Sequence, residues 1–246
     1  MDRMLYVAMT GAKQTMLAQA INTNNLANAN TVGFQQDFAA FRSMPVFGPG
    51  QPTRVYAMAE RPGTDFVHGA LESTGRQLDI AVNGDGWIAV QAPDGSEAYT
   101  RAGNLQISST GQLLTGAGHP VLGNGGPIAL PPAQKLDIGG DGTITAVPLG
   151  QTPNTLAVVD RIKLVNPPAK DLVKGSDGLM HLRDGSSADA DANVTLAVGS
   201  LEASNVNAVD AMVNMIALAR QFEMQVKMMQ TAQQNDQQTA QLLSLQ

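Results

Sequence analysis

The sequence predicts an α+β chain, with helical N- and C-terminal segments flanking an all-β central domain. Three observations carry this. Proline is absent before Pro45 and after Pro168, and glycine is absent after Gly199, so both ends permit helix. Asn-Gly and Asp-Gly pairs punctuate the middle and supply the positive φ that tight hairpin turns need. Apolar residues recur at helical spacing at both ends. The chain divides into a helix with an Asn-rich motif over 1–42 and a Pro/Gly-rich connector over 43–74, for which extended β is the candidate conformation. A β domain over 75–195 and a second helical segment over 196–246 complete it.

The first helix is read over Asp2 to Ala20, with Leu5, Ala8 or Met9, Ala12, Met16 and Ala20 at helical spacing. Behind it comes "NTNNLANANTVGF", Asn22 to Phe34, with five asparagines in thirteen residues. Asparagine competes for nearby backbone groups and is better at helix ends than inside them. The cluster is therefore expected to end the helix in an uncharged exit, with Gly33 taking the turn and Phe34 anchoring it. Its amides would serve helix-end groups, on this chain or on neighbouring subunits. The apolar opening is short and broken by Thr10, follows the acidic Asp2, and is followed by Lys13, so a cleaved leader is not expected. No charge occurs from Gln14 to Gln36, but the amides there would make membrane insertion costly.

In the middle, "LDIAV" meets Asn83-Gly84-Asp85-Gly86 and "WIAVQ" follows, which reads as a hairpin. Asp94-Gly95, Asn124-Gly125, Asp141-Gly142, Asp177-Gly178 and Asp184-Gly185 repeat the signal between short strands such as "AYTRA", "GTITAV", "DRIKLV" and "LMHLR".

Asn207 is placed to cap the C-terminal helix, with Asp210 favouring its positive end. Between Ala208 and Ala219 only Asp210 and Asn214 are polar. At about 100° per residue the apolar positions cover roughly 260° of circumference, where one core-facing stripe needs about 100°. Such a helix must be covered by several neighbours, from its own chain or from others. Beyond it, nine glutamines follow from Gln221 while Phe222, Val226 and Met229 continue an apolar stripe. Uncharged amides can meet symmetry-related copies without repulsion, and the methionines add adaptable surface.

A net charge of −6 argues against nucleic acid or anionic lipid as a partner. There is no cysteine, hence no disulfide and no thiolate site. His68, His119 and His181 stand apart, without metal-site spacing. "DADAN" begins like an EF-hand loop, but Val194 occupies the glycine position and Ser200 the bidentate glutamate position. Gly116-Ala117-Gly118 lacks the third glycine of a dinucleotide loop. No nucleophile–base pattern is present, so no catalytic residue, cofactor or metal ligand is assigned. Composition alone leaves a self-assembling structural protein and a secreted β-rich binding module open, with a secreted enzyme behind them.

Three motifs resemble those of the flagellar rod and hook proteins. Asn24, Asn25, Leu26, Ala27, Asn28, Thr31, Gly33 and Phe34 match that family's NNLAN and T-x-G-F signature. Leu201, Glu202, Ser204, Asn205, Val206 and Asn207 match its LE-x-SNVN. "LDIAVNGDGW", "YTRAGN" and "GHPVLG" match its central pattern, with Trp87 and Leu105 in place of the usual aromatics. Within the family, the opening and the modest length resemble a proximal rod subunit, with a distal rod subunit as the nearest competitor. The resemblance implies a structural subunit of the flagellar axial tube, with the N- and C-terminal helices paired as a coiled coil lining the inner layer and the β domain outside. Its partners would be copies of itself and other rod proteins. It would leave the cytoplasm through the flagellum-specific type III export apparatus, without a cleaved leader, and assemble in the periplasmic basal body. The motif residues, together with Val209, Met212, Ile216, Ala219, Phe222 and Val226, are the implied assembly interface. No cofactor or substrate is implied.

Overall fold

The computed structural model describes residues 4–38, 41–45, 55–59, 63–148 and 157–244. They form two compact units. One comprises residues 1–29, 36–65 and 206–246, the other residues 30–35 and 66–205.

The first unit is built on two helices, α1 (Met4–Ala27) and α2 (Ala208–Ser244). A hairpin of Phe41–Pro45 with Val55–Ala59, and a two-residue pair of Asp37–Phe38 with Gly63–Thr64, complete it. The helices run antiparallel: the Asn22 amide donates to Ala211 O at 2.7 Å, and Gly11 lies against the Gln225 side chain. On α1 the less exposed positions include Met4, Ala8, Gly11, Thr15, Ala18, Asn22 and Asn25; on α2 they include Ala211, Met215, Leu218, Phe222, Gln225, Met229 and Ala232. Both series step by alternating threes and fours, so each helix turns one stripe toward the other.

That seam corrects the expected α1 stripe. Ala8 and Ala12 are buried, but Leu5, Met9 and Met16 stay exposed, and so does Ala20. The α1 side of the seam is made largely of small side chains, Ala8, Gly11, Thr15 and Ala18, and the bulkier side chains lie on its exposed face. The helix also runs past Ala20 to Ala27, so Asn22, Asn24 and Asn25 lie inside it. At Asn22 and Asn25 tertiary hydrogen bonds offset asparagine's poor helical preference. The cap of α2 forms as expected: Asn207 Oδ1 accepts from the Val209 and Asp210 amides at 3.0 and 3.4 Å. Among the described residues no helix is long and apolar enough to cross a membrane.

The second unit is strand-rich. Its main sheet is antiparallel, in the spatial order Leu164–Val165, Trp87–Gln91, Glu97–Thr100, Met180–Leu182 and Leu172–Lys174. "WIAVQ" is apolar on both faces because both are covered. Ile88 and Val90 join a core with Ile80, Val82, Leu105, Leu113, Val121, Ile128 and Ile144. Trp87 and Ala89 turn to a second cluster with Tyr99, Val165, Leu172 and Met180. Trp87 and Leu105 are both buried, so the two departures from the family pattern keep their apolar role.

Several Asp-Gly turns gain a clamp from the residue that follows. Asp94 accepts the amide and hydroxyl of Ser96, and Asp141 and Asp184 do the same for Thr143 and Ser186. These hydrogen bonds favour the ionised form and hold all three carboxyls below the usual aspartate range. Asp94-Gly95, Asn124-Gly125, Asp141-Gly142 and Asp177-Gly178 join paired strands as expected. Asp184-Gly185 forms a turn that joins no strand pair; Gly185 N donates to Leu182 O.

The Asn83-Gly84-Asp85-Gly86 segment closes no hairpin. Ile80–Asn83 pairs with Thr195–Val198, while Trp87–Gln91 joins the main sheet. The loop carbonyls are instead committed to a buried arginine.

Candidate functional site: a buried node joining three motifs

That arginine is Arg101, from "YTRAGN". Its Nε donates to Glu202 Oε2 at 2.6 Å, one Nη to Gly86 O at 3.1 Å and the other to Gly84 O at 2.8 Å. Its guanidinium carbon lies 5.7 Å from the centre of the Trp87 ring, whose edge meets Phe66 in a T-shaped contact. Arg101 is 2% exposed and Glu202 1%. A buried pair of charges survives only if its remaining hydrogen-bonding capacity is used. Here it is: Glu202 Oε1 accepts the Gly69 amide at 3.1 Å, and the spread guanidinium fork takes the two loop carbonyls.

Glu202 also takes hold of the N-terminal motif. Its backbone carbonyl accepts the Gly33 amide at 2.8 Å. Gly33 has φ +66°, and a Cβ there would fall 2.3 Å from the carbonyl carbon of Arg101 and 2.4 Å from the Ala102 nitrogen. Only glycine allows both the left-handed backbone and that approach. Phe34 O accepts the Asn205 amide at 3.3 Å, and the Asn205 side chain donates to Val67 O at 2.9 Å. Lys174 Nζ lies 4.1 Å from the Phe34 ring centre and donates to Gln35 O at 2.8 Å. Residues 170 positions apart, Gln35 and Asn205, thus meet at one point.

The remaining motif residues divide by unit. Asn25 is buried in the first unit, where its amide exchanges two hydrogen bonds with the Asp37 backbone, at 2.7 and 3.0 Å. The Asn28 side chain donates to Asn24 O. Asn24 and Ala27 are exposed and Leu26 is half-buried. In the second unit Thr31 is exposed, its carbonyl accepting the Phe34 amide, while Leu201 and Ser204 are half-buried. On α2, Val209, Met212 and Ile216 are exposed, Ala219 and Val226 are half-buried, and Phe222 belongs to the seam with α1. Val206 is half-buried and Asn207 caps the helix. Glu202, Gly33 and Asn25 therefore act inside their own chain.

Sequence reasoning did not single out Arg101, Gly69 or Lys174. Arg101 lay within the "YTRAGN" motif, just past the strand Glu97–Thr100, but nothing there marked it as buried. Its partner Glu202, 101 residues away, was singled out as a motif residue, but no local signal joined the two. Two of the histidines contact carboxylates, His68 with Asp85 and His181 with Asp177. Among the described residues no cluster of three or more metal-capable side chains occurs.

The motifs thus build a clamp that holds distant stretches of chain, while bulky apolar side chains remain outside on the helices. That arrangement defines a structural, interaction-driven protein. Three family models match in chain order: the flagella basal body rod protein model over residues 5–35, the flagellar hook protein FlgE/F/G D1 domain over 81–146, and the flagellar basal body rod FlgEFG protein C-terminal model over 197–242. Over the full length of both chains the sequence is 45% identical to the flagellar basal-body rod protein FlgF of Salmonella typhimurium and 45% identical to that of Escherichia coli K12. It is 32% identical to the flagellar basal-body rod protein FlgG of Bacillus subtilis, over 94% of this chain and 96% of that one. The chain belongs to the FlgF family of flagellar basal-body rod proteins, a family of structural rod subunits and not of enzymes.

Proposed function

We propose that this chain is a proximal-rod subunit that assembles with copies of itself and with other rod proteins into the tubular shaft of the basal body. The observation that carries the proposal is the apolar surface left on both helices. Val209 is 68% exposed, Val213 60% and Ile216 57%, with Met212, Met224 and Met228 beside them. On α1, Tyr6, Met9, Met16 and Leu17 are likewise exposed. Leaving such side chains in water forgoes about 1.5–3 kcal/mol each relative to full burial. Exposed apolar side chains gathered on helices in this number mark an interaction site.

In this reading α1 and α2 pair as a coiled coil in the inner layer of the tube, supported by the alternating three-and-four spacing of their seam. The seam ends near Ala232, and residues 233–241 of α2 are exposed and rich in glutamine, suited to uncharged contact with neighbours. Asn24 and the exposed apolar positions would face those neighbours. Export through the flagellar type III apparatus without a cleaved leader, and a periplasmic site of assembly, belong to the same reading.

The test is incorporation. With Val209, Val213 and Ile216 replaced by Ser, the purified chain keeps the wild-type unfolding midpoint of its strand-rich unit. Its recovery in isolated basal bodies falls at least about tenfold, since roughly half the burial value of three side chains is lost. Normal recovery of that variant in basal bodies refutes the proposal.

A further inference from the structure

We infer that Arg101 and Glu202 form a latch that fastens two flanking segments, residues 31–35 and 200–205, to the strand-rich unit and releases them together. The two segments share hydrogen bonds, Gly33 N to Glu202 O and Phe34 O from Asn205 N. The two segments therefore meet at one place in this unit. Both segments rest on the same buried pair: Glu202 is in the second, and Gly33 of the first lies on the Arg101–Ala102 peptide.

The strand holding Glu202 pairs with Leu71–Ser73, whose three residues are exposed. Within the Leu71–Glu202 pair, Glu202 is buried against Arg101 while Leu71 is 50% exposed, so the buried charge pair is the main anchor of this ribbon. The apolar core around Leu113, Val121 and Ile128 is closed by other strands and contains no part of either segment. Opening the latch thus exposes polar and backbone groups and leaves that core shut. This is the signature of a sub-global opening, with a free energy below that of full unfolding. Removing one member of a buried pair strands the other charge, whereas replacing both with apolar groups is often tolerated.

Hydrogen exchange on the full chain, read by mass spectrometry, tests this. In Glu202→Gln the amides of 31–35, 69–73 and 200–205 should lose protection together, by about a hundredfold and to a common rate, with Leu113–Ile128 unchanged. The double variant Arg101→Met with Glu202→Leu should regain most of that protection. Acceleration confined to 200–205 overturns the inference, because the segments then open independently. Equal acceleration through Leu113–Ile128 overturns it as well, because the pair then supports the whole fold. A Glu202→Gln variant too unstable to measure leaves the decision to the double variant, which must fold with 31–35 and 200–205 protected to a common rate.

Discussion

Replacing Gly33 with Ala should destabilise the strand-rich unit by about 2–5 kcal/mol. A non-glycine residue at φ +66° costs roughly 1–2 kcal/mol. The new Cβ would fall 2.3 Å from a backbone carbon, where carbon contacts settle near 3.5–4.0 Å, so the loop or the Arg101–Ala102 peptide must move by over about 1 Å. Overpacking of that kind costs about 1–3 kcal/mol. Moving the loop also endangers the hydrogen bond to Glu202, worth about 1 kcal/mol. Against this, alanine restricts the unfolded chain and returns about 0.4–1 kcal/mol. The assay is urea unfolding followed by tryptophan fluorescence, because the single tryptophan, Trp87, is buried beside Arg101. With a slope of about 2 kcal/mol per molar, the midpoint should fall by roughly 1–2.5 M. Gly75→Ala is the control: φ is +70°, but nothing lies within 4 Å of the added Cβ, so only the backbone cost remains. Equal shifts for the two variants, or a shift below about 0.3 M for Gly33→Ala, would refute the close-approach argument.

Two further outcomes are expected. Tyr99 is fully buried, and burial raises its hydroxyl pKa well above the usual value of 10.0. The unfolded chain therefore loses that proton first, so the stabilisation is intact below about pH 10 and declines as pH rises beyond it. Tyr99→Phe should cost about 1–3 kcal/mol at neutral pH, because the Ala188 amide loses its acceptor, yet flatten the alkaline decline by up to about 1.4 kcal/mol per pH unit. Urea midpoints at pH 8, 10 and 11 measure both effects, and identical pH slopes for the two proteins would contradict them. Asn25→Ala should lower the thermal stability of the helical unit by about 1–3 kcal/mol, read by circular dichroism at 222 nm, since the Asp37 amide and carbonyl both lose their partner. An unchanged melting curve would mean that Asn25 is not needed within its own chain.

What the sequence determined is whatever depends on near neighbours. Glycine and proline spacing delimited the helical ends, Asp-Gly and Asn-Gly pairs marked four hairpins, and Asn207 announced the start of α2. The excess oily circumference of α2 was also legible, because a helix's surface follows from its period alone. Which face α1 buries was not, since its alanine seam is a property of the helix it meets. The Asn83–Gly86 loop carried a correct local signal that was overruled when its carbonyls went to Arg101. The Arg101–Glu202 pairing, like Gly33 on Glu202 and Asn205 on Phe34, spans about 100 residues or more. A charge buried without its partner costs far more than any local preference supplies, so only the tertiary structure could decide which glutamate answers which arginine.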